Sequence, residues 1–377
     1  MKVIRSLTLV AALLASSNPG YAQSRPVQAG TIPAVAETIA TGLENPWSLE
    51  FLPDGAVLIT ERPGRLRILE NGRLSAPVAG VPRVYANGQG GLLDVALAND
   101  FASSGTIFFS YAEPGTGGAG TAIARATLLR GETPRLENVR TIFSMAKKSG
   151  TSHHFGSRIV VAPDGNLFFT IGDRGDGARA QDFADHAGAV LRIAPDGSIP
   201  DGNPWADGAD GLPELWSKGH RNPQGAAWDP LTASLWTVEH GARGGDEINQ
   251  PQAGLNYGWP VISYGRHYSG FKIGIGTEAE GYEQPLFYWD PSIAPSGMAV
   301  YGGAMFPEWQ GDLLVGALRA QLLARLERDE SGNIVGEERM FEGVFGRIRD
   351  VKVAPDGAIW FITDESNGAV VRISREG

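Results

Sequence analysis

No cysteine occurs anywhere in the 377 residues, which removes disulfides, thiolate metal ligands and cysteine nucleophiles from consideration. That absence is compatible with an oxidising compartment and does not by itself establish one. Long apolar runs are missing too. The run at residues 7–15 is too short to span a bilayer, and no later stretch reaches spanning length without charges or turn residues. Basic residues are in deficit, with 32 Lys and Arg against 42 Asp and Glu and a net charge of −10. Phosphate neutralisation needs basic surface, so a nucleic-acid partner is excluded, although a local basic pocket is not. His186, His220, His240 and His267 show no H-x-x-x-H or similar spacing, so no histidine metal motif is present.

What is abundant is glycine and proline, 51 and 24 residues, alongside 42% hydrophobic residues. Many turns and a substantial core together suit many short strands. All-β folds often run long as one unit, and no linker or composition shift marks a boundary. Residues 23–377 are therefore read as one domain. Before them, Lys2 and Arg5, the apolar run and the small-x-small site Gly20-Tyr21-Ala22 read as a secretory signal over residues 1–22. The expectation is export to the periplasm, with residues 23–35 as a mobile start.

The organising feature is a degenerate repeat. Pro46-Trp47-Ser48-Leu49-Glu50-Phe51-Leu52-Pro53-Asp54-Gly55 is one copy, and Gly156-Ser157-Arg158-Ile159-Val160-Val161-Ala162-Pro163-Asp164-Gly165 is another. Related stretches begin at Gly91, Asn222, Pro295 and Arg349. Second short strands follow them, at residues 57–60, 106–111, 167–171, 235–238, 313–315 and 359–363. Strand, Pro-Asp-Gly-like turn and β-rich strand form the hairpin signature. A β-sandwich also contains such hairpins. Six copies roughly 45 to 75 residues apart, over nearly the whole chain, favour an all-β, six-bladed β-propeller with four-stranded antiparallel blades. Residues 196–212, rich in Asp, Gly and Pro, read as a long surface loop.

Equivalent positions in propeller blades lie on one face around one axis. The residues opening the copies are Asn45, Gln89, His154, Arg221 with Asn222, and Arg347 with Arg349. If the register holds, they converge at one end of the central channel and build a cationic pocket. Arginine forks suit carboxylates and phosphates, so the expected ligand is a polyanion. His154, at the start of an expected inner strand, is a candidate general base, though a lone histidine is commonly structural. His153 should face the other way. Asp173, in Gly172-Asp173-Arg174-Gly175, either binds sugar hydroxyls or orients His154, or simply forms a turn. The stretch Glu239-His240-Gly241-Ala242-Arg243-Gly244-Gly245-Asp246-Glu247-Ile248-Asn249 has oxygen donors and flexible glycines suited to a hard cation. On local grounds it reads equally as a solvated acidic loop.

Together these segments resemble the soluble family of glucose and aldose sugar dehydrogenases that depend on pyrroloquinoline quinone (PQQ). The resemblance is carried by Gly88-Gln89-Gly90-Gly91-Leu92-Leu93, His154-Phe155-Gly156-Ser157-Arg158, Thr170-Ile171-Gly172-Asp173 and Gly219-His220-Arg221-Asn222-Pro223-Gln224-Gly225. Gly245-Asp246-Glu247-Ile248-Asn249, Asn256-Tyr257-Gly258-Trp259-Pro260, Ala294-Pro295-Ser296 and Arg347-Ile348-Arg349-Asp350-Val351 continue it in family order. It implies that His154 removes the proton from the C1 hydroxyl of an aldose as hydride leaves for the quinone. It also implies that Arg221 stabilises developing charge, with Asp173 beside substrate and base. Gln89, Arg221, Asn222, Arg347 and Arg349 would hold PQQ. A calcium ion would sit on the backbone carbonyls of Gly241 and Ala242, and a second on Glu247 and Tyr257, with further acidic ligands unassigned among Glu278, Glu280 and Glu283.

Two departures stand out. Arg319 occupies the place of a cofactor-binding lysine, keeping the charge but changing its geometry, and the sugar-stacking tryptophan matches Trp289-Asp290-Pro291-Ser292 displaced by one position. The sugar, the electron acceptor and the choice between monomer and homodimer are left open. Two other readings compete: a calcium-dependent propeller lactonase and a non-catalytic periplasmic propeller binding a glycan or peptide. The first would want carboxylates and amides on the axis, and the second would not need a base opposite three arginines.

Overall fold

The structure is a computed structural model that describes residues 23–377; the export signal expected at residues 1–22 lies outside them. Six antiparallel sheets stand in a ring, a six-bladed β-propeller. The innermost strands are Pro46–Phe51, Leu92–Leu97, Ile159–Val161, Pro223–Asp229, Pro295–Val300 and Ile348–Val353. Each touches the next, and the sixth returns to the first. They coincide with the six repeat copies, and the second strand of every blade falls where the sequence pattern puts one.

The repeat forms hairpins for a local reason. In blades one, three and six the aspartate side chain accepts the backbone N–H two residues on: Asp54 from Ala56 at 3.2 Å, Asp164 from Asn166 at 3.0 Å and Asp356 from Ala358 at 3.0 Å. The glycine between them takes φ of 88°, 85° and 84°, a left-handed backbone that only glycine adopts without steric cost. Nothing lies within 4 Å of a Cβ placed on Gly55 or Gly165, so conformation and not space selects glycine there.

The strands that follow these turns are buried on both faces, as Val57–Glu61 shows, because each blade is sandwiched between two others. Leu58 and Leu66 of blade one thus pack with Leu92, Val95 and Phe109 of blade two, and burying each such side chain is worth about 1.5–3 kcal/mol. The segment between Ile193 and Leu215 carries no strand.

The expectation of a mobile start is corrected. Gln23–Ala29 and Ile32–Leu43 are paired strands, and Ile32–Leu43 pairs in turn with Gly368–Arg375 of the last blade. The C-terminal end supplies just three strands of that blade, and the N-terminal segment closes the ring by burying Ala29, Ala34, Ala36 and Leu43.

A polar plug fills the channel. Arg158 bridges Asp94 at 3.0 Å and Asp350 at 3.1 Å, lies over the Trp47 ring, and is almost wholly buried. Its partners occupy equivalent places in their blades, Asp94 also accepting from Ser48 at 2.6 Å. The plug separates a wide cavity of about 910 Å3 at one mouth from the polar site at the other.

Candidate active site

Two adjoining hollows make up the polar mouth. One, of about 200 Å3, is lined by Gln89, Asn222, Arg62, Arg347, Arg349 and Asp364 among others. Its neighbour, of about 330 Å3, is lined by His154, Asp173, Arg221, Ala242, Trp259 and Tyr268 among others. The blade-opening residues Gln89, His154, Arg221, Asn222, Arg347 and Arg349 therefore do meet at one end.

His154 is not on a strand. The inner strand begins at Ile159, and His154, Gly156 and Ser157 all have left-handed backbones, with φ of 55°, 62° and 82°. The turn is required where Gly156 passes under the next strand, since a Cβ there would meet the Thr170 carbonyl at 2.8 Å. Gln89 Oε1 accepts the His154 N–H at 2.7 Å, and Asn222 Oδ1 accepts the Gly156 N–H at 3.1 Å. The turn directs the His154 ring into the cleft. His153 is exposed and pairs with Thr151.

Asp173 is both a turn former and the orienter of His154. Its Oδ1 lies 2.6 Å from His154 Nδ1 and accepts the Gly175 N–H at 2.7 Å, while Oδ2 accepts from Trp259 Nε1 at 2.8 Å. Burial alone would raise its pKa, but the His154 hydrogen bond, the Gly175 N–H and the Arg221 charge hold it below the ordinary carboxylate value. His154 moves down as well, chiefly by burial and with help from Arg221, against the opposing pull of Asp173. An ionised Asp173 and a neutral His154 follow. Nδ1 carries the proton that Asp173 accepts, leaving the Nε2 lone pair as an acceptor.

Arg221 lies over the Trp259 ring, 5.2 Å from its centre, and donates to the His240 carbonyl at 3.2 Å and to the Gly241 carbonyl. Arg349 donates to Gln224 Oε1 at 2.8 Å and to Asp364; Arg62 and Arg347 reach Asp364 at 3.4 and 3.7 Å. Three guanidiniums thus share one carboxylate. Burial would raise Asp364, yet the three arginines hold it well below the usual carboxylate range.

Arg62, His240, Trp259 and Asp364 were not singled out in the sequence. Asp364 follows the second strand of blade six as Asp173 follows that of blade three, so comparing strand ends as well as strand starts would have found it. Arg319 is exposed, reaches the Ser292 carbonyl at 3.5 Å, and does not line either hollow. Trp289 is buried, donating to Glu337 at 2.9 Å, so its indole turns away from the cleft.

The acidic loop divides into two parts. Ala242 lines the cleft, while the Gly241 carbonyl accepts from Arg221 and Gly241 N donates to Asp246 Oδ1 at 2.9 Å. Glu247 and Tyr257 lie behind it. Asn249 Nδ2 donates to Glu247 at 3.2 Å and Glu239 at 3.0 Å, while the buried Asn249 Oδ1 has no partner among the described residues. Burial, then the Glu239 and Asp246 charges, push the Glu247 carboxyl above the ordinary carboxylate range. Tyr257 stacks on His220 with ring centres 4.8 Å apart, and Glu283 N donates to the Asn256 carbonyl at 2.8 Å, which brings Glu283 to the same corner. No group of three or more His, Asp or Glu side chains among the described residues is close enough to hold a metal unaided.

A propeller with a histidine–aspartate pair beside an arginine-rich hollow is the arrangement that the resemblance to sugar dehydrogenases implies, and the comparisons show that family. The sequence model of the glucose/sorbosone dehydrogenase family matches residues 43–372. The chain belongs to that family. It is 45% identical over 344 residues to aldose sugar dehydrogenase YliI of Escherichia coli, covering 90% of this chain and 92% of that protein. The crystal structure of the soluble aldose sugar dehydrogenase of Escherichia coli in its apo form superposes with a TM-score of 0.87 over 90% of this chain and 99% of that one, at 45% identity. The PQQ-bound aldose sugar dehydrogenase of Streptomyces coelicolor gives 0.74 at 27% identity, over 94% and 99%.

Proposed function

We propose that this protein oxidises aldose sugars at C1 to the lactone, using PQQ and calcium. The observation that carries the reading is the hollow where Arg62, Arg347 and Arg349 converge on the one carboxylate of Asp364, with buried donors Arg62 Nε, Arg349 Nε and Asn222 Nδ2 unpartnered. Such a donor-rich site fits a ligand bearing several carboxylates. Gln89, Asn222, Arg62, Arg347 and Arg349 would hold it, with Arg221 at the boundary of the two hollows. The Ala242 carbonyl, and the Gly241 carbonyl once Arg221 releases it, would offer oxygens to a hard cation at the mouth, and Glu247, Asn249 Oδ1 and the Tyr257 carbonyl would offer them to another behind it. With both groups bound, the site gains a two-electron acceptor and a Lewis acid.

The chain's own residues do the rest. Trp259 and Tyr268 wall the cleft in which the sugar sits. His154 Nε2 accepts the proton of the C1 hydroxyl, and Asp173 stabilises the imidazolium so formed, as an oriented base requires. Arg221 places positive charge where negative charge develops. Export is the accompanying proposal, resting on Lys2, Arg5 and the apolar run after them. Among the described residues no helix is long and apolar enough to cross a membrane.

The test is reconstitution. Purified protein is titrated with PQQ in the presence of calcium and followed by absorbance, then given an aldose and a reducible dye. Saturable binding and sugar-dependent dye reduction are expected; failure to bind PQQ would sink the reading.

A further inference from the structure

Arg174 is a buried cation, 1% exposed, that makes no direct ion pair among the described residues, the charge of the neighbouring Asp173 acting on it only from a distance. Its guanidinium lies 3.4 Å from the centre of the Phe155 ring. Nη1 donates to the His153 carbonyl, and Nη2 donates to the Thr151 carbonyl at 2.8 Å and the Ala119 carbonyl at 3.5 Å. Nε is left unpartnered, and burial pushes its pKa down to about 10. A charge taken out of water without an opposite charge is costly, and a fold keeps one where something else requires it. Here every acceptor is a backbone carbonyl, and two of the three, those of Thr151 and His153, immediately precede His154 in the loop that carries it.

That loop needs holding. His154 has φ of 55°, a conformation that costs energy for a residue with a Cβ and persists only when its surroundings over-determine it. Asp173 grips the imidazole at 2.6 Å, and the next residue in the chain, Arg174, grips the backbone on either side of His153. Phe155, beneath the guanidinium, also lines the arginine-rich hollow. The neighbouring side chains thus fix ring and main chain separately. Fixing the main chain sets where Nε2 points.

We propose that Arg174 is a positioning residue for His154: its guanidinium fork on the carbonyls of residues 151 and 153, stacked on Phe155, holds the base in its left-handed turn facing the cleft. This rests on His154 acting as the base of sugar oxidation. A lysine has the charge but not the planar fork and cannot stack in the same way, so charge and geometry separate experimentally.

The experiment compares the wild-type chain with Arg174→Lys, and with Arg174→Gln as a second variant of similar volume. In the cofactor-free proteins, proton NMR follows the His154 Nδ1 proton, which its short bond to Asp173 should place far downfield. In the reconstituted proteins, kcat, KM and PQQ affinity are measured. The expected result for Arg174→Lys is loss or broadening of that resonance, a fall in kcat of about tenfold or more, and KM and PQQ affinity within about twofold of wild type. A folded Arg174→Lys or Arg174→Gln variant with an unchanged resonance and unchanged kcat would overturn the proposal. So would a fall in kcat with the resonance intact. If the wild-type chain binds no PQQ and oxidises no sugar, the proposed function fails while the NMR comparison still decides whether Arg174 holds His154.

Discussion

His154 Nδ1 stands 2.6 Å from Asp173 Oδ1. The two groups shift in the same sense, both below their ordinary values, so the pair rests as carboxylate and neutral imidazole. That state leaves Nε2 ready to take a proton. It does so without the charged imidazolium competing for the arginine-rich end of the site.

His154→Ala should lower kcat/KM by about two to four orders of magnitude, the usual contribution of a positioned base. PQQ affinity by absorbance titration should change little, because the His154 side chain borders the cleft and not the hollow lined by Arg62, Arg347 and Arg349. Unchanged turnover would remove the base assignment and leave the cofactor site standing.

The acid limb of kcat/KM reports the free enzyme's base, and should fall below pH 6.5. A base whose folded pKa is lowered is active above that value and is lost as pH drops through it. Burial, Arg221 and His153 push His154 down while Asp173 holds it up. Asp173→Asn should therefore move the limb to lower pH, and Arg221→Gln should move it higher. A pH–rate series on the two variants checks the opposite signs; shifts in one direction for both would contradict the geometry.

Arg349→Gln should weaken PQQ binding by about tenfold to a hundredfold, the loss of one charge-assisted hydrogen bond worth about 1.5–3 kcal/mol. Arg319→Gln should change it less than about fivefold, since Arg319 is exposed and outside the hollow, where a charge is worth about 1 kcal/mol or less. Titration of the two proteins side by side decides whether Arg319 takes over the role of the family's lysine.

Asp364 contributes to the fold as an anion among Arg62, Arg347 and Arg349. Its folded pKa is lowered, so its stabilisation is present above an unfolded value of about 3.9 and disappears as pH falls through and below it. Asp364→Asn should destabilise the cofactor-free protein at pH 7 by about 3 kcal/mol, the cost of breaking a buried pair and leaving charges facing one another. Thermal melts from pH 7 down to pH 3 should show the gap to wild type narrowing on the acid side. A constant gap would mean that Asp364 acts through packing and not charge.

How much of this was legible in the chain varies by residue. The blade hairpins were, because each rests on local chemistry: an aspartate accepting an N–H two residues on, a glycine at positive φ, and apolar strands on either side. Gln89, Asn222, Arg347 and Arg349 were placed at one mouth for the same reason, since register in a repeat converts sequence position into location around an axis. Arg62 and Asp364 escaped because they end strands instead of opening blades. The mobile start was misjudged because Ile32–Leu43 pairs with Gly368–Arg375, a contact between the two ends of the chain that no local pattern announces.

The sequence by itself determined the propeller and the cationic end, because short-range turn chemistry and periodic burial act residue by residue. The tertiary structure alone decided how those groups meet. The left-handed turn at His154, the saturation of Asp173 by Trp259 and Gly175, the sharing of Asp364 among three arginines and the clamp of Arg174 on the residue 151 and 153 carbonyls all join side chains from separate segments. Their positions follow from the closure of the ring, which brings strand ends remote in sequence within hydrogen-bonding distance.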